Sequence, residues 1–258
     1  MTFRSHLLAC SLIMAVVLLP IQVRSEVVFR AGPEIYYFQR DKEGGSKQTG
    51  AMYGIRGMLE RIQPCSLYLG LDLFCAEGTI KGHSGSGRAL SSEITDVIYE
   101  GRIGYMLQNN KANPSFIIPY CGYGHFRETN AFRPPSPLPF TFIDTFDYTL
   151  IGFLSGFNFT PLLSIGLNFE TRFMLNGKSK LTNDPDFDDT TLIMNNELQA
   201  RLELPITYNL SRCRCRTEVQ LVPFYEYRHF GGREGFPFDF IDTKFNLIGL
   251  RFTLGCRF

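Results

Sequence analysis

The stretch "FNLIGLRFTLGCRF", from Phe245 to Phe258, sets the pattern for the whole chain. From Ile248 onward every second residue is apolar, and the residues between them are Gly, Arg or Thr. A period of two places one set of side chains on each face of a β-strand. One face is therefore apolar, and the other combines charge with glycine. Such a second face suits a narrow polar lumen better than a solvated sheet edge.

This ending resembles the C-terminal assembly signal of bacterial outer-membrane β-barrels, in which alternating apolar residues precede a final Phe. The resemblance implies that the barrel-assembly machinery recognises the stretch, and that Phe252, Leu254 and Phe258 face outer-membrane lipid. A second fragment, "IPYCGYGHF" from Ile118, resembles the Pro-Tyr-x-Gly-x-Gly strand of small opacity-type outer-membrane barrels. That likeness implies that Gly122 and Gly124 face the lumen.

The first 25 residues are typical of a secretory signal peptide. Arg4 and His6 precede an apolar run from Leu7 to Leu19, and cleavage is expected before Glu26. The run is too short for a membrane-spanning helix. The sequence therefore predicts export, with residues 26–258 as the mature domain.

The mature chain divides into ten alternating segments, each longer than a usual globular strand. Their length matches what a tilted strand needs to cross a bilayer. They are Phe29–Gln39, Ala51–Arg61, Ser66–Glu77, Thr95–Leu107, Phe116–Glu128, Thr145–Phe159, Leu162–Met174, Leu192–Tyr208, Thr217–His229 and Phe245–Phe258.

The connections between these segments alternate in length. "IQPC", "NNKANPS", "TP" and "NLSRCRCR" are short, whereas the other five, such as "TNAFRPPSPLPFTFID", are long and rich in Gly, Pro, Asp and Ser. Short periplasmic turns and long extracellular loops are typical of outer-membrane barrels. We therefore predict an all-β fold, a single antiparallel transmembrane β-barrel of about ten strands, located in a bacterial outer membrane.

The predicted lumen face carries nearly matched acids and arginines. This charge ladder comprises Arg56, Glu60, Glu100, Arg102, Glu170, Arg172, Glu197, Arg201, Glu203, Glu226, Arg228 and Arg251, with Arg30, Glu34 and Asp72 on the same phase. Buried charges persist mainly when they are paired, so one interpretation is a filled structural interior. The other is an ion-selective pore lining. Ten strands leave little open bore, which favours the first.

The sequence offers little for an enzyme. Outer-membrane aspartyl-type proteases also have ten strands, but the mature histidines are His83, His125 and His229, all predicted at the outer end. His125 and His229 fall on the lipid-facing phase. The acidic run "NDPDFDD" lacks the glycine and final glutamate of a helix–loop–helix calcium site. We predict no catalytic, cofactor-binding or metal-binding residues.

The cysteines cluster at the predicted periplasmic rim, where thiols are oxidised. Cys65, Cys213, Cys215 and Cys256 lie there, and hairpin pairing of the last two strands would bring Cys215 near Cys256. One hypothesis is a disulfide between these two, and another is disulfide linkage to neighbouring envelope proteins. Charge is balanced, with 24 Lys and Arg against 25 acids after residue 25, which gives no sign of a nucleic-acid partner.

Function is constrained less than fold. The leading hypothesis is a non-enzymatic surface protein that acts in envelope structure or surface interaction. The alternative is a narrow porin-like channel for ions or small solutes.

Overall fold

A computed structural model of the protein describes residues 26–109, 115–137, 139–184, 188–210, 216–235 and 239–258. The predicted signal peptide lies outside these residues. The described part of the chain has no helix that is long and apolar enough to cross a membrane.

The described residues form fourteen strand segments. In chain order they are β1 (Glu26–Lys42), β2 (Ser46–Ile62), β3 (Leu67–His83), β4 (Ala89–Tyr105), β5 (Leu107–Asn109), β6 (Ser115–Phe132), β7 (Thr141–Asn158), β8 (Leu163–Ile165), β9 (Asn168–Thr182), β10 (Thr190–Ile193), β11 (Leu198–Glu203), β12 (Ile206–Asn209), β13 (Arg216–Phe230) and β14 (Thr243–Arg257).

These segments form a closed antiparallel barrel with ten strand positions. β4 and β5 both pair with β6, and β8 and β9 both pair with β7. β10 pairs with β9, β11 with β9 and β13, and β12 with β8 and β13, so these three segments together occupy one strand position. β14 pairs with β13 on one side and with β1 on the other, which closes the barrel. The predicted ten-stranded, all-β architecture is confirmed.

The register fixes the dimensions of the barrel. A path perpendicular to the strands starts at Val27 and returns to β1 twelve residues higher, at Gln39; it runs through Arg61, Leu69, Ile103, Cys121, Ile151, Thr171, Ala200, Tyr227 and Asn246. With ten strands, this shear gives a strand tilt of about 40° and a backbone radius of about 10 Å. Inward side chains from opposite walls therefore meet at the axis.

The strands extend further at the outer end than the sequence pattern predicted. β3 continues past Glu77 to His83, and β4 begins at Ala89 rather than Thr95. The outward residues there, including Glu77 and Lys81, are polar and exposed, so the apolar alternation stops while backbone pairing continues. A tilted strand of 17 residues is about 42 Å tall, against a lipid-facing band of about 25 Å. About 15 Å of barrel wall therefore stands above the lipid.

This extension shortens the predicted outer loops. Most of the first one, "DKEGGSKQTG", is strand, and only residues 43–45 form the turn. Gly44 and Gly45 have φ of 84° and 85°, a conformation that residues with a Cβ rarely adopt. The two glycines therefore permit this tight hairpin.

Candidate functional site in the barrel lumen

The middle of the lumen is filled by a network of arginines and carboxylates. Glu34 accepts hydrogen bonds from Arg56 Nε at 2.9 Å and from Arg201 Nη2 at 3.2 Å, and Arg251 lies 3.6 Å away. All four residues are at most 5% exposed. Because each charge has an opposite partner in contact, burial inside the barrel is tolerated.

A second centre of the network is Glu226 on β13. Its carboxylate accepts from Arg228 Nε at 2.6 Å, Arg201 Nη1 at 2.6 Å and Arg172 Nη1 at 3.2 Å. Arg201 thereby joins Glu226 to Glu34, so the two centres belong to one connected network.

Tyrosine hydroxyls satisfy further carboxylate lone pairs. The donor–acceptor pairs are Tyr68 to Glu60 at 2.7 Å, Tyr120 to Glu170 at 2.9 Å, Tyr148 to Glu100 at 2.8 Å and Tyr36 to Asp96 at 3.2 Å. The guanidinium groups also stack on aromatic rings, with Arg201 4.0 Å from the Phe224 centroid and Arg56 4.5 Å from that of Phe74. Rings and ions therefore fill the same cross-section.

Eleven residues of the predicted charge ladder lie in this interior. Nine of them are buried, and the side chains of Arg102 and Glu203 are 12% and 13% exposed. The eleven residues are Arg56, Glu60, Glu100, Arg102, Glu170, Arg172, Arg201, Glu203, Glu226, Arg228 and Arg251.

Glu197 is the exception in the predicted ladder. Its side chain is 39% exposed and lies 3.5 Å from His229, which follows buried Arg228 and so takes the outward phase. The inward residues change from even numbers at Met194 to odd numbers at Gln199, because the chain is irregular between β10 and β11. Regular alternation through this break assigned Glu197 to the wrong face.

A layer of phenylalanine above the ionic network was missed by the sequence reasoning. It consists of Phe38, Phe126, Phe146, Phe230 and Phe245, all at most 2% exposed. Their rings contact one another at centroid distances of 4.6 to 5.8 Å. The sequence did contain a sign of this layer, because β6 and β7 carry apolar residues on both faces. A lumen-facing apolar layer explains that pattern.

Cavities remain at both ends of the lumen. One, of about 100 Å³, lies in the periplasmic half, with Arg30, Glu60, Glu170, Glu203 and Gln220 among its lining residues. Another, of about 290 Å³, lies at the outer mouth. None of the five phenylalanines lines either cavity, and the register places the layer between them.

The outward face carries aromatic residues at two levels. Tyr105, Phe159, Tyr208 and Phe258 are exposed near the periplasmic end, and Tyr37, Tyr53, Phe173 and Tyr225 are exposed further up. From the register and tilt, the two levels are about 25 Å apart, the height of a lipid-facing apolar band. Between them the exposed residues include Ile55, Leu73 and Ile151.

The predicted assembly residues point outward on the closing strand. Phe252, Leu254 and Phe258 are 42%, 55% and 71% exposed. The backbone of Phe258 exchanges two hydrogen bonds with Val27, at 2.9 and 3.2 Å. The last residue therefore helps to close the barrel against its first strand.

Two histidines form cross-strand pairs with aspartates. His125 Nδ1 lies 2.8 Å from Asp147 and its ring stacks on Tyr99, on the outward face near the upper aromatic level. His229 Nε2 lies 2.7 Å from Asp242, which also accepts a hydrogen bond from Gly232 N. Partial burial works against ionisation of Asp242, but these two hydrogen bonds prevail and lower the pKa of its carboxyl. Neither histidine lines the cavities at the two ends of the lumen.

No disulfide joins any two of the described cysteines, which are Cys65, Cys75, Cys121 and Cys256. Cys256 lies opposite Thr217 in the β13–β14 ladder. Its predicted partner Cys215, together with Cys213, lies outside the described residues, so the disulfide stays a prediction.

The fold is shared with solved outer-membrane β-barrels. The outer-membrane protease OmpT from Escherichia coli superposes with a TM-score of 0.56 at 9% sequence identity, covering 91% of this chain and 96% of OmpT. The translocator domain of the autotransporter NalP from Neisseria meningitidis gives a TM-score of 0.50 at 8% identity, covering 99% and 96%. No protein-family model matches the chain, and neither does any curated protein sequence.

The fold is thus that of a small bacterial outer-membrane β-barrel, as the ending of the sequence implied. At such low identity the likeness concerns the architecture alone.

Proposed function

We propose that this chain is a closed, non-enzymatic barrel of a bacterial outer membrane that acts in envelope structure or surface interaction. Outer-membrane lipid covers its apolar band, the barrel-assembly machinery inserts it, and its outer wall and loops are available to partners outside the cell. The observation that carries the proposal is the filled lumen, because a barrel without a bore cannot transport solutes through its interior.

Two different barriers stand in series along the axis. An ion entering from the periplasm meets the network around Glu34 and Glu226, in which every charge already has a partner. An ion that passes this network meets five packed phenylalanine rings, which offer it no polar ligand. Removing the hydration shell of an ion without replacing it costs far more than thermal energy.

The wall above the lipid supports the surface role. It presents polar and charged residues such as Glu77, Lys81, Glu93 and Arg133, of which Arg133 pairs with Glu93 at 2.8 Å. Hydrogen-bonded sheet continues through this wall, which is about 15 Å tall, so the surface is more rigid than isolated loops. It therefore offers a rigid platform for contact with neighbouring envelope components.

A liposome-swelling assay tests the proposal. Liposomes that contain the folded barrel should not swell in isotonic solutions of small sugars or amino acids, whereas liposomes with a general porin should. Swelling that depends on solute size would replace the proposal with the channel alternative. The periplasmic cavity of about 100 Å³ favours that alternative, because charged and polar side chains line it, as they line the entrance of a channel.

The likeness to a protease raises the question of activity. The two His–Asp pairs are the elements closest to acid–base machinery, and both lie on the outward phase of the strands. In the proposed role, these two pairs hold neighbouring strands and loops together. Incubation of the folded barrel with an unbiased peptide mixture should yield no cleavage products; cleavage that is lost in His229→Gln would contradict the proposal.

A further inference from the structure

Two exposed cations lie side by side on the outward face of β6, β7 and β9, just above the lipid band. Arg127 on β6 lies opposite Thr145 on β7, and Thr145 lies opposite Lys178 on β9. Arg127 and Lys178 are exposed. Their backbones are two strand spacings apart, about 10 Å, so the two long side chains can converge above the Thr145 hydroxyl. Register and tilt place Arg127 about 5 Å above the upper aromatic level, where lipid headgroups begin.

A β-bulge gives Lys178 its outward direction. Asn176 and Gly177 of β9 oppose a single residue of β7, so β9 contains one extra residue there. Inward residues therefore change from even numbers, as at Met174, to odd numbers, as at Ser179. A bulge of this kind re-aims the side chains that follow it. Regular alternation without the extra residue would turn Lys178 into the lumen.

Neither cation has an acidic partner among the described residues. Lys180, the next outward residue of β9, shows the contrast, because its Nζ pairs with Asp189 at 2.7 Å. No carboxylate of the described residues lies within ion-pair distance of Arg127 or Lys178. Two positive charges are therefore available side by side.

The acidic residue on the same face of β7 is already engaged. Asp147, two residues along from Thr145, lies 2.8 Å from His125 Nδ1 and accepts a hydrogen bond from the Tyr123 hydroxyl. The His125 ring in turn stacks on Tyr99 at a centroid distance of 4.9 Å. These contacts hold the Asp147 carboxylate at the aromatic level, below the two cations.

We propose that this face binds the phosphate-bearing headgroup of a membrane lipid in the outer leaflet, with the phosphate held between Arg127 and Lys178. A phosphate offers oxygens to both cations at once. The acyl chains lie on the exposed apolar residues below, such as Ile151 and Phe173. Because only a lipid can use this apolar surface as well, a lipid is favoured over a dissolved anion. The inference rests on the proposed outer-membrane placement, but not on the closed lumen.

Native mass spectrometry of the folded barrel in a non-ionic detergent tests the proposal. The probes are phosphatidic acid, diacylglycerol with the same acyl chains, and inorganic phosphate. We expect the barrel to retain phosphatidic acid, and to retain diacylglycerol at least about fivefold less. Inorganic phosphate at the same concentration should not be retained, because it lacks the apolar anchor.

Arg127→Gln and Lys178→Gln should each weaken retention of phosphatidic acid about fivefold. Lys244→Gln is the matched control. It makes the same change at an exposed lysine of β14, on the opposite side of the barrel, and should leave retention unchanged. Heat-dependent gel migration confirms that each variant is folded.

Three outcomes would overturn the proposal. One is equal retention of diacylglycerol, which would mean apolar contact without recognition of the phosphate. Another is an equal loss in Lys244→Gln, which would mean diffuse attraction by the whole outer wall. The third is the absence of retained phosphatidic acid on the folded wild-type barrel. A barrel that passes solutes in the swelling assay would contradict the proposed function and leave this test unaffected, so the two failures are distinguishable.

Discussion

Replacing Glu226 by Gln tests whether the lumen network stabilises the fold. The substitution keeps the shape of the side chain but removes the charge that contacts Arg172, Arg201 and Arg228. Glu226 is 1% exposed and lines neither lumen cavity, so water does not readily replace it.

The expected loss of stability depends on the carboxylates that still contact the three arginines after Glu226 is replaced. Breaking a buried ion pair from one side costs about 3 to 5 kcal/mol. Arg228 keeps Asp96 at 2.7 Å, and Arg201 keeps Glu34 at 3.2 Å, which places the loss at the lower end. We therefore expect Glu226→Gln to lower the free energy of unfolding by about 3 kcal/mol.

Two matched substitutions calibrate the measurement. Glu170→Gln makes the same change at the wall of the periplasmic cavity, where water can enter, so we expect a smaller loss of about 1 kcal/mol. Glu197→Gln makes it on the outward phase at a side chain that is 39% exposed, and should change stability by less than about 0.5 kcal/mol. The assay is urea unfolding of the detergent-folded barrel, followed by far-UV circular dichroism. Equal stability of the Glu226 and Glu197 variants would refute the reasoning.

Three further predictions concern assembly, topology and the outer rim. Deleting Phe258, which pairs with β1, should slow membrane insertion more than Arg257→Gln, which removes a rim contact with Glu218; equal rates would contradict the assigned assembly role. Cysteine-reactive label on intact cells should reach tags in "FRPPSPLPF" or "GGREGF" but not in "NNKAN", and labelling of the last site alone would reverse the orientation. Because the pKa of Asp242 is lowered, its anchoring of the Gly232 amide should persist above the usual Asp pKa of about 3.9 and be lost only below it. An amide chemical shift of Gly232 that already changes between pH 7 and 5 would contradict this assignment.

The wall of the barrel could be predicted from the sequence because lipid imposes a strict rule on it. Outward residues within the lipid band are predominantly apolar, so alternation in strands such as β3, β13 and β14 indicated which face of each strand points outward. The rule ends where the lipid ends. That is why the strand continuing from Glu77 to His83 was interpreted as loop.

The interior could be predicted only in part, because the lumen imposes no comparable rule. It accepts ion pairs such as Arg56 with Glu34 and stacked rings such as Phe126 with Phe146. Apolar residues occur on both faces of the segments that contain Phe126 and Phe146, so the sequence does not show which face points inward. It also does not show that these two residues lie opposite each other on β6 and β7. The outer-mouth cavity was likewise invisible, since Lys42 and Phe240 are nearly 200 residues apart in the chain.

Single-molecule conductance in a planar bilayer tests the closed lumen most directly. The wild-type barrel should insert without steady current steps, because the phenylalanine layer and the ionic network block the axis in series. A variant with Phe126, Phe230 and Phe245 all changed to Ala removes most of that layer and should pass more current than the wild type. Steady ohmic steps from the wild-type barrel would contradict the account.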